Sequence, residues 1–392
     1  MRRPAVVAGL DRLDADSRAV RRMQRLRARY EPGPLMLRMP GREVAVVLTA
    51  EHVRRILDES PEPFATANRE KVAALSRFQP HGVLISEGPE RAVRRRFNED
   101  VLDTARPVHR HADAIRSRVA DAASEMGHEG ELSWDRFAVS WCRMVRRIVL
   151  GDAARDDDEL TDMLRRLRGD ANWAYFAPRR QRLRNRFLAR LSAHLDRAES
   201  GSLAALVRDV TAGPHIYPDE QVPQWLFAFD ATAMATFRAL ALLAAHPDRV
   251  TADTTFLRAC FHESVRLWPT TPAILRDTTR ATEWGNGTMP AGTAVLIFVP
   301  FFHRDDERFA HADVFAPEMW LDEGPATGPP LVPFSAGPAE CAGRNLVLFV
   351  ASELLANLTS GGPLRETTRA IASPQPLPRT LNPFRLRFEM PR

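Results

Sequence analysis

Of the three cysteines in this 392-residue chain, Cys341 alone sits where sulfur could do chemistry. It lies in the loop PFSAGPAECAGR, residues 333–344, which runs directly into the apolar stretch NLVLFVASELLANL. A thiol at the end of a glycine-bearing loop faces the start of a helix. Backbone N–H groups and the positive helix end favour a thiolate there, and hence an anionic ligand. Gly337 and Gly343 would let the backbone approach a flat macrocycle. The alternative is an inert buried cysteine, the usual fate of a lone one.

A second constellation lies upstream in FHESVRLWPTTPAILRDTT, where Glu263 and Arg266 share a helix face at i, i+3 spacing. Alone, such a pair is a surface contact worth a few tenths of a kcal/mol. Here Trp268-Pro269 ends the helix, and Arg276 follows in an extended segment.

The elements that must position these residues are mostly helical. Ser17–Tyr30 has a basic, helix-like pattern; Leu35–Met39 and Val44–Leu48 around Pro40-Gly41 predict a hairpin, and Ala50–Glu59 a helix. Residues 61–89 are punctuated by proline and glycine and predict loop. From Glu90 to Leu206 the spacing is helical, interrupted by NWAYFAP at 172–178. Trp225–Ala245 predicts a long apolar helix, opened by Pro218-Asp219-Glu220 and closed by His246-Pro247, with another over Asp253–Leu267. Short strands such as Thr293–Val299 follow, then a helix over Gly343–Leu358 and a terminal hairpin within Ser373–Met390. No boundary divides the chain, which predicts a single, mainly α domain with minor β over residues 1–392.

Composition excludes several classes. An apolar fraction of 44% and a charged fraction of 27% describe an ordinary globular chain. Lys71 is the only lysine among 55 basic residues. The net charge is +5 and the pI about 9.7, yet the arginines are interleaved with acids and no nucleic-acid signature accompanies them. A solvated basic surface, one face of which docks an acidic protein, is the better expectation. Three cysteines in unrelated contexts argue for a reducing compartment. The apolar stretch before Asp11 is five residues, too short for a secretory core. Asp230 and Arg238 within Trp225–Ala245 argue against a membrane span, at a cost of roughly 3 kcal/mol each. The expectation is a cytoplasmic protein without membrane or nucleic-acid partners.

In this order, about seventy-five residues apart, the two segments resemble those of the cytochrome P-450 family. Phe334-x-x-Gly337-x-x-x-Cys341-x-Gly343 is similar to its cysteine-ligand loop, and Glu263-x-x-Arg266 to its K-helix pair. PheHisArgAspAsp at 302–306 and PheAlaProGluMetTrp at 315–320 resemble the segments between them, and GluArgAlaValArgArgArg at 90–96 the start of its C helix. The resemblance implies the P-450 fold, with a K helix near 253–267 and a long central I helix near 225–245. It implies haem b (iron protoporphyrin IX) with Cys341 as thiolate ligand, pushing electron density to the iron and favouring O–O cleavage. Arg91, Arg95 and Arg276 fall where the family pairs arginines with haem propionates, and Ala228, Phe334, Gly337 and Gly343 complete the implied haem contacts. Glu263 and Arg266 become a structural pair beneath the loop.

Counting back from His246-Pro247, Asp230 falls on the family's acid position. Ala231 replaces its usual threonine, and Thr232 follows. An acid–alcohol pair would relay protons, so Asp230 and Thr232 are the catalytic candidates. Alanine cannot donate a proton. Thr232, an ordered water or a substrate hydroxyl would then substitute, or the oxidant would be peroxide. Asp230 could equally be a buried acid satisfied by backbone groups. Ala339 stands two before the cysteine, where the family carries a basic residue, and Val314 and Met319 stand where an arginine completes the Glu263–Arg266 network.

The family's substrate contacts map to Phe64–Val83, Trp173–Phe176, Phe227–Met234, Thr270–Ile274 and Arg379–Asn382. The pocket candidates are Phe227, Phe229, Met234, Thr271, Ile274 and Leu381, a mostly apolar set. Arg69, Lys71 and Arg379 could meet an acidic substrate or carrier, or be solvated charges. The expectation is an oxidase of an apolar or aromatic specialised metabolite or peptide, acting by hydroxylation or oxidative coupling. Electrons would come from NAD(P)H through a ferredoxin reductase and a ferredoxin docking near Arg94, Arg96 and Arg344. The alternatives are a peroxide-driven peroxygenase and a non-catalytic haem-binding module that recruits a partner or senses a ligand.

Overall fold

The computed structural model describes Gly9 and residues 14–391 other than 31–32, 129, 211–212, 322–329 and 373–374. The chain opens with helix α1 (Ala15–Tyr30), the hairpin β1 (Leu35–Met39) and β2 (Arg42–Val46), and α2 (Ala50–Asp58). The stretch read as loop from 61 to 89 instead carries β3 (Phe64–Ala65) and a seven-residue helix, α3 (Arg69–Leu75). The Asn68 side chain accepts the Lys71 backbone N–H and starts that helix.

Five helices follow: α4 (Gly88–Val101), α5 (Ala112–Gly127), α6 (Trp134–Leu150), α7 (Asp158–Ala171) and α8 (Gln181–Arg197). A short strand, β4 (Glu131–Ser133), precedes α6. After α9 (Leu203–Asp209) comes α10 (Pro218–Ala245), 28 residues long and seven longer at its start than its apolar run. Pro218 opens it, with Asp219 and Glu220 in the first turn where the helix dipole favours acids. Its middle is largely apolar and is packed as a core helix, with Asp230 and Arg238 as the charged exceptions. It is long and apolar enough to cross a membrane, but 72% of its most apolar stretch is buried inside the protein.

Eight residues with one tight turn at Pro247–Arg249 connect α10 to α11 (Thr254–Leu267), which Asp253 caps. Next come β5 (Ala273–Thr278), the small hairpin β6 (Thr282–Trp284) and β7 (Gly287–Met289), β8 (Ala294–Phe298), and the short α12 (Val299–His303). Helix α13 (Arg344–Thr359) leaves the cysteine loop, and β9 (Arg365–Glu366) and β10 (Arg387–Glu389) end the chain.

The main sheet has the order β1-β2-β8-β5-β3, with β2 and β8 parallel and the other pairs antiparallel. The terminal hairpin expected within 373–390 does not form as such. Strand β10 pairs with β9 and with β4, more than 250 residues away, and residues 373–374 lie outside the described set. A large apolar core surrounds α10, α11 and α13, and a smaller one lies under the main sheet.

Two imidazoles are locked into this core in neutral form. His303 is fully buried; its Nε2 accepts the Val332 N–H, which assigns the proton to Nδ1, 3.3 Å from Arg266 O. Burial, then the Arg266 charge, pushes its pKa down to about 3. His262, stacked 4.6 Å from Trp320, is also pushed down to about 3 by burial and then by Arg344 and Arg258. An unfolded chain takes up protons at these imidazoles below about pH 6.5, and the folded one does not. Their contribution is therefore complete above pH 6.5 and declines as pH falls, by up to about 1.4 kcal/mol per pH unit for each group. Denaturant midpoints measured at pH 7.5 and 5.5 should show this fall, with a shallower slope for His303→Gln.

Candidate active site

A cavity of about 1130 Å³ lies between α10 on one side and the cysteine loop on the other. It exceeds the roughly 300–1,000 Å³ of one small-molecule pocket, leaving room for a macrocycle and a second molecule. Cys341 opens onto it. The loop that presents the thiol is held by the Cys341 N–H donating to Phe334 O at 3.0 Å. Behind it, Phe334 packs edge-on against His262 of α11.

Burial raises the Cys341 thiol pKa, while the Gly343 N–H, Arg95 and Arg344 pull it back. The helix start alone does not make a thiolate here; a coordinated cation would, because it strips the thiol proton outright. Among the described residues no group of three or more His, Cys, Asp or Glu side chains converges as a metal site. Cys341 is thus suited to contribute one ligand to a metal brought in by a macrocycle.

The positive side chains in the cavity wall point to the same kind of guest. Arg276 is buried and donates only to neutral oxygens of Ser60, Leu275 and Ser335 among the described residues. Burial, then repulsion from Arg91, pushes its pKa down to about 10, which still leaves it charged. Arg91 is buried with its Nε unpartnered. Two guanidiniums facing one cavity without a carboxylate require an anion, and the two propionates of haem supply that chemistry. The residues fit the group. Arg95 differs, being committed to Glu99 and to the Glu340 carbonyl. Ala228, Phe334 and Gly343 line the cavity as expected.

Gly337 does not. It faces Leu57 at the end of α2, where an added Cβ would meet the carbonyl oxygen at 2.3 Å, and its φ is +66°. Its glycine is required by a turn against α2 rather than by a flat ligand. Gly337→Ala should therefore cost about 1–3 kcal/mol in a denaturant titration. Gly343→Ala, whose Cβ would meet nothing closer than Leu102 at 3.9 Å, should cost less.

Glu263 and Arg266 are both fully buried and doubly bonded, at 2.6 and 2.8 Å. Arg266 also donates to the carbonyls of His303, Ala312 and Val314. Where the sequence lacks a third arginine, Glu263 accepts the Ala316 N–H and the Trp320 indole N–H. Trp320 was missed because an indole replacing a guanidinium leaves no pattern in the sequence. The adjoining segment is pinned by buried Arg304, which bonds Asp313 and the carbonyls of Leu377 and Pro378.

On α10, Asp230 is neither free nor satisfied by backbone. It pairs with Arg168 of α7, whose guanidinium also lies 4.5 Å over the Phe227 ring. Thr232 is buried and lines the cavity, but two residues further along a helix lie on a different face from Asp230. The two candidates share the cavity without forming a pair.

Of the pocket candidates, Phe227, Phe229, Met234, Thr271 and Ile274 line the cavity. Leu381 does not; it is packed in the core, its carbonyl taken by Arg238 of α10. Arg379 turns the same way, onto Arg304 O, Asp306 and Asp313. Trp173, Tyr175 and Phe176 point to solvent at 68, 60 and 86% exposure and leave Asn172 to reach the wall. Arg94, expected on a docking face, is buried against Ser86 and His215 O.

Comparison with known proteins extends this picture. A cytochrome P450 family model matches residues 248–357. A Fusarium pseudograminearum protein named a cytochrome P450 monooxygenase is 39% identical over 118 residues, 28% of this chain and 21% of its own. The cyclooctat-9-en-7-ol 5-monooxygenase of Streptomyces melanosporofaciens is 31% identical over 169 residues, 37% of each chain. The chain thus spans well under half the length of these curated relatives. The fold likeness is broader. A cyanobacterial cytochrome P450 with retinoic acid bound superposes with a TM-score of 0.72 at 17% identity, covering 94% of this chain and 93% of its own. A six-coordinated cytochrome P450 from Thermus thermophilus gives 0.70 at 20% identity, covering 95% and 98%. The family-model match over residues 248–357 and the curated relatives support a cytochrome P450 family protein, and the chain as a whole has that fold, with the cysteine loop and α10 facing one cavity.

Proposed function

We propose that this protein is a haem-thiolate monooxygenase acting on an apolar or aromatic metabolite or short peptide in the cytoplasm, by hydroxylation or oxidative coupling. The observation that carries the reading is the one cavity that joins Cys341, two uncompensated buried guanidiniums and the apolar wall of α10. Haem b held there supplies dioxygen activation at the iron, with electrons from NAD(P)H through a ferredoxin and its reductase.

The chain's own residues do the rest. Arg91 and Arg276 would hold the two propionate carboxylates of the cofactor. Phe227, Met234 and Ile274 exclude water and orient an apolar substrate by contact. Ala231 lines the wall without a proton to give, and Asp230 is held by Arg168. Protons entering the cavity would therefore pass by way of the Thr232 hydroxyl or water rather than an Asp230–Thr232 pair.

The test begins by supplying haem and recording the absorption spectrum. Small aromatic metabolites and short aromatic peptides are then screened for a low-spin to high-spin shift. Steady product formation with NADPH, ferredoxin and ferredoxin reductase supports the proposal. Turnover sustained by hydrogen peroxide but not by the reductase system would replace it with a peroxygenase, and a colourless, stably folded protein would end it.

A further inference from the structure

One cation in the cavity wall is left over after haem has been accommodated. Lys71, the only lysine in the chain, projects from α3 into the wall that also carries Arg276. Its ammonium has one hydrogen bond among the described residues, to the Thr66 carbonyl at 3.1 Å. The acid nearest to it in charge terms is Asp277, which is already bound by Arg42 and by the Arg69 N–H.

The charges can be counted around the cavity. Arg95, Arg165 and Arg168 have acidic partners in Glu99, Asp162 and Asp230. Arg166 is exposed at the surface, where solvent serves it. Arg91, Arg276 and Lys71 remain, each without a carboxylate in contact among the described residues. Haem brings two carboxylates, which the two guanidiniums fit. The amine has none.

An uncompensated ammonium in a cavity wall is costly. Its pKa is accordingly pushed down to about 7, first by burial and then by Arg276, against the opposing pull of Asp277. A third carboxylate in the cavity would relieve that cost, and it must arrive with the guest. The choice of lysine has a physical sense as well. A compact ammonium on a flexible stem can follow carboxylates at different positions, whereas a guanidinium fork fixes them.

We propose that Lys71 is the anion-recognising residue of the cavity and that the substrate carries a carboxylate that pairs with it. This inference rests on the reading of the cavity given above and narrows its substrate class to apolar or aromatic acids.

The test uses the haem-loaded full chain and calorimetry, which needs no turnover. Phenylalkanoates from 4-phenylbutyrate to 8-phenyloctanoate are compared with their amides. The wild type should bind at least one acid about ten-fold or more tightly than its amide, as a charge-assisted pair requires. Lys71→Met should bring that ratio close to one, and Lys71→Arg should retain part of it. The Lys71 N–H that Asn68 caps is a backbone group, so these variants keep the helix start. Equal binding of acid and amide by the wild type overturns the inference, as does a preference unchanged in Lys71→Met. Loss of haem from Lys71→Met with an unchanged acid-to-amide ratio also overturns it, and assigns the amine to a propionate. A wild type that takes up no haem sinks the monooxygenase reading instead, and the ratio in the two chains still decides the role of Lys71.

Discussion

Replacing Cys341 with serine should give a folded protein that has lost the carbon-monoxide difference band typical of thiolate ligation, and with it all detectable turnover. The expected effect is total because Cys341 is the only thiol in the described cavity wall, and the band and the electron donation to iron both belong to a thiolate. A serine hydroxyl holds its proton far more tightly than a thiol and is a poor soft donor. The fold should survive, since the loop is held by the Cys341 backbone N–H on Phe334 O and by the Gly343 carbonyl accepting from Val347 N. Cys142→Ser is the control. Burial pushes the Cys142 thiol up, and it lines a small neighbouring recess with Trp141, Leu160 and Leu164 rather than the main cavity. That variant should keep the band. A thiolate band persisting in Cys341→Ser would show that the ligand has been misassigned.

The second large effect concerns the buried pair. Glu263→Gln leaves the Arg266 guanidinium at 0% exposure with carbonyl oxygens as its remaining partners. Removing one partner of a buried, hydrogen-bonded ion pair costs about 3–5 kcal/mol. That is a large part of the roughly 5–15 kcal/mol by which a typical domain is stable. Denaturant titration should show the loss, and haem content after expression should fall with it, because Glu263 also anchors Ala316 and Trp320 beside the cysteine loop. The residues act as a unit, so a double replacement of Glu263 and Arg266 by methionine should cost less than the sum of the single changes. A Glu263→Gln protein that unfolds at the wild-type denaturant concentration would contradict the buried role.

Much of this arrangement was legible from local pattern. The cysteine loop, the Glu263–Arg266 spacing and the apolar run ending at His246-Pro247 each announce an element over a stretch of under twenty-five residues. What escaped was either short or distant. Helix α3 is seven residues long, so it offers a single apolar repeat and hides among prolines, although Asn68 marks its start. The Arg168–Asp230 contact joins residues 62 positions apart, and nothing near either one specifies the partner. Leu381 was misplaced for a related reason. Its side chain direction is fixed by a loop that Arg238 holds from α10, a constraint that only tertiary packing supplies. The Trp320 indole stands in for an absent arginine, which matching of residue types cannot anticipate.

The placement of Lys71 has a practical consequence. Because the one ε-amine among 392 residues lines the interior chamber, an amine-selective acylating reagent has a single side-chain target. Any guest that fills the chamber should shield it. Mass spectrometry of the peptide containing residue 71 would then report occupancy directly, one acyl group at a time.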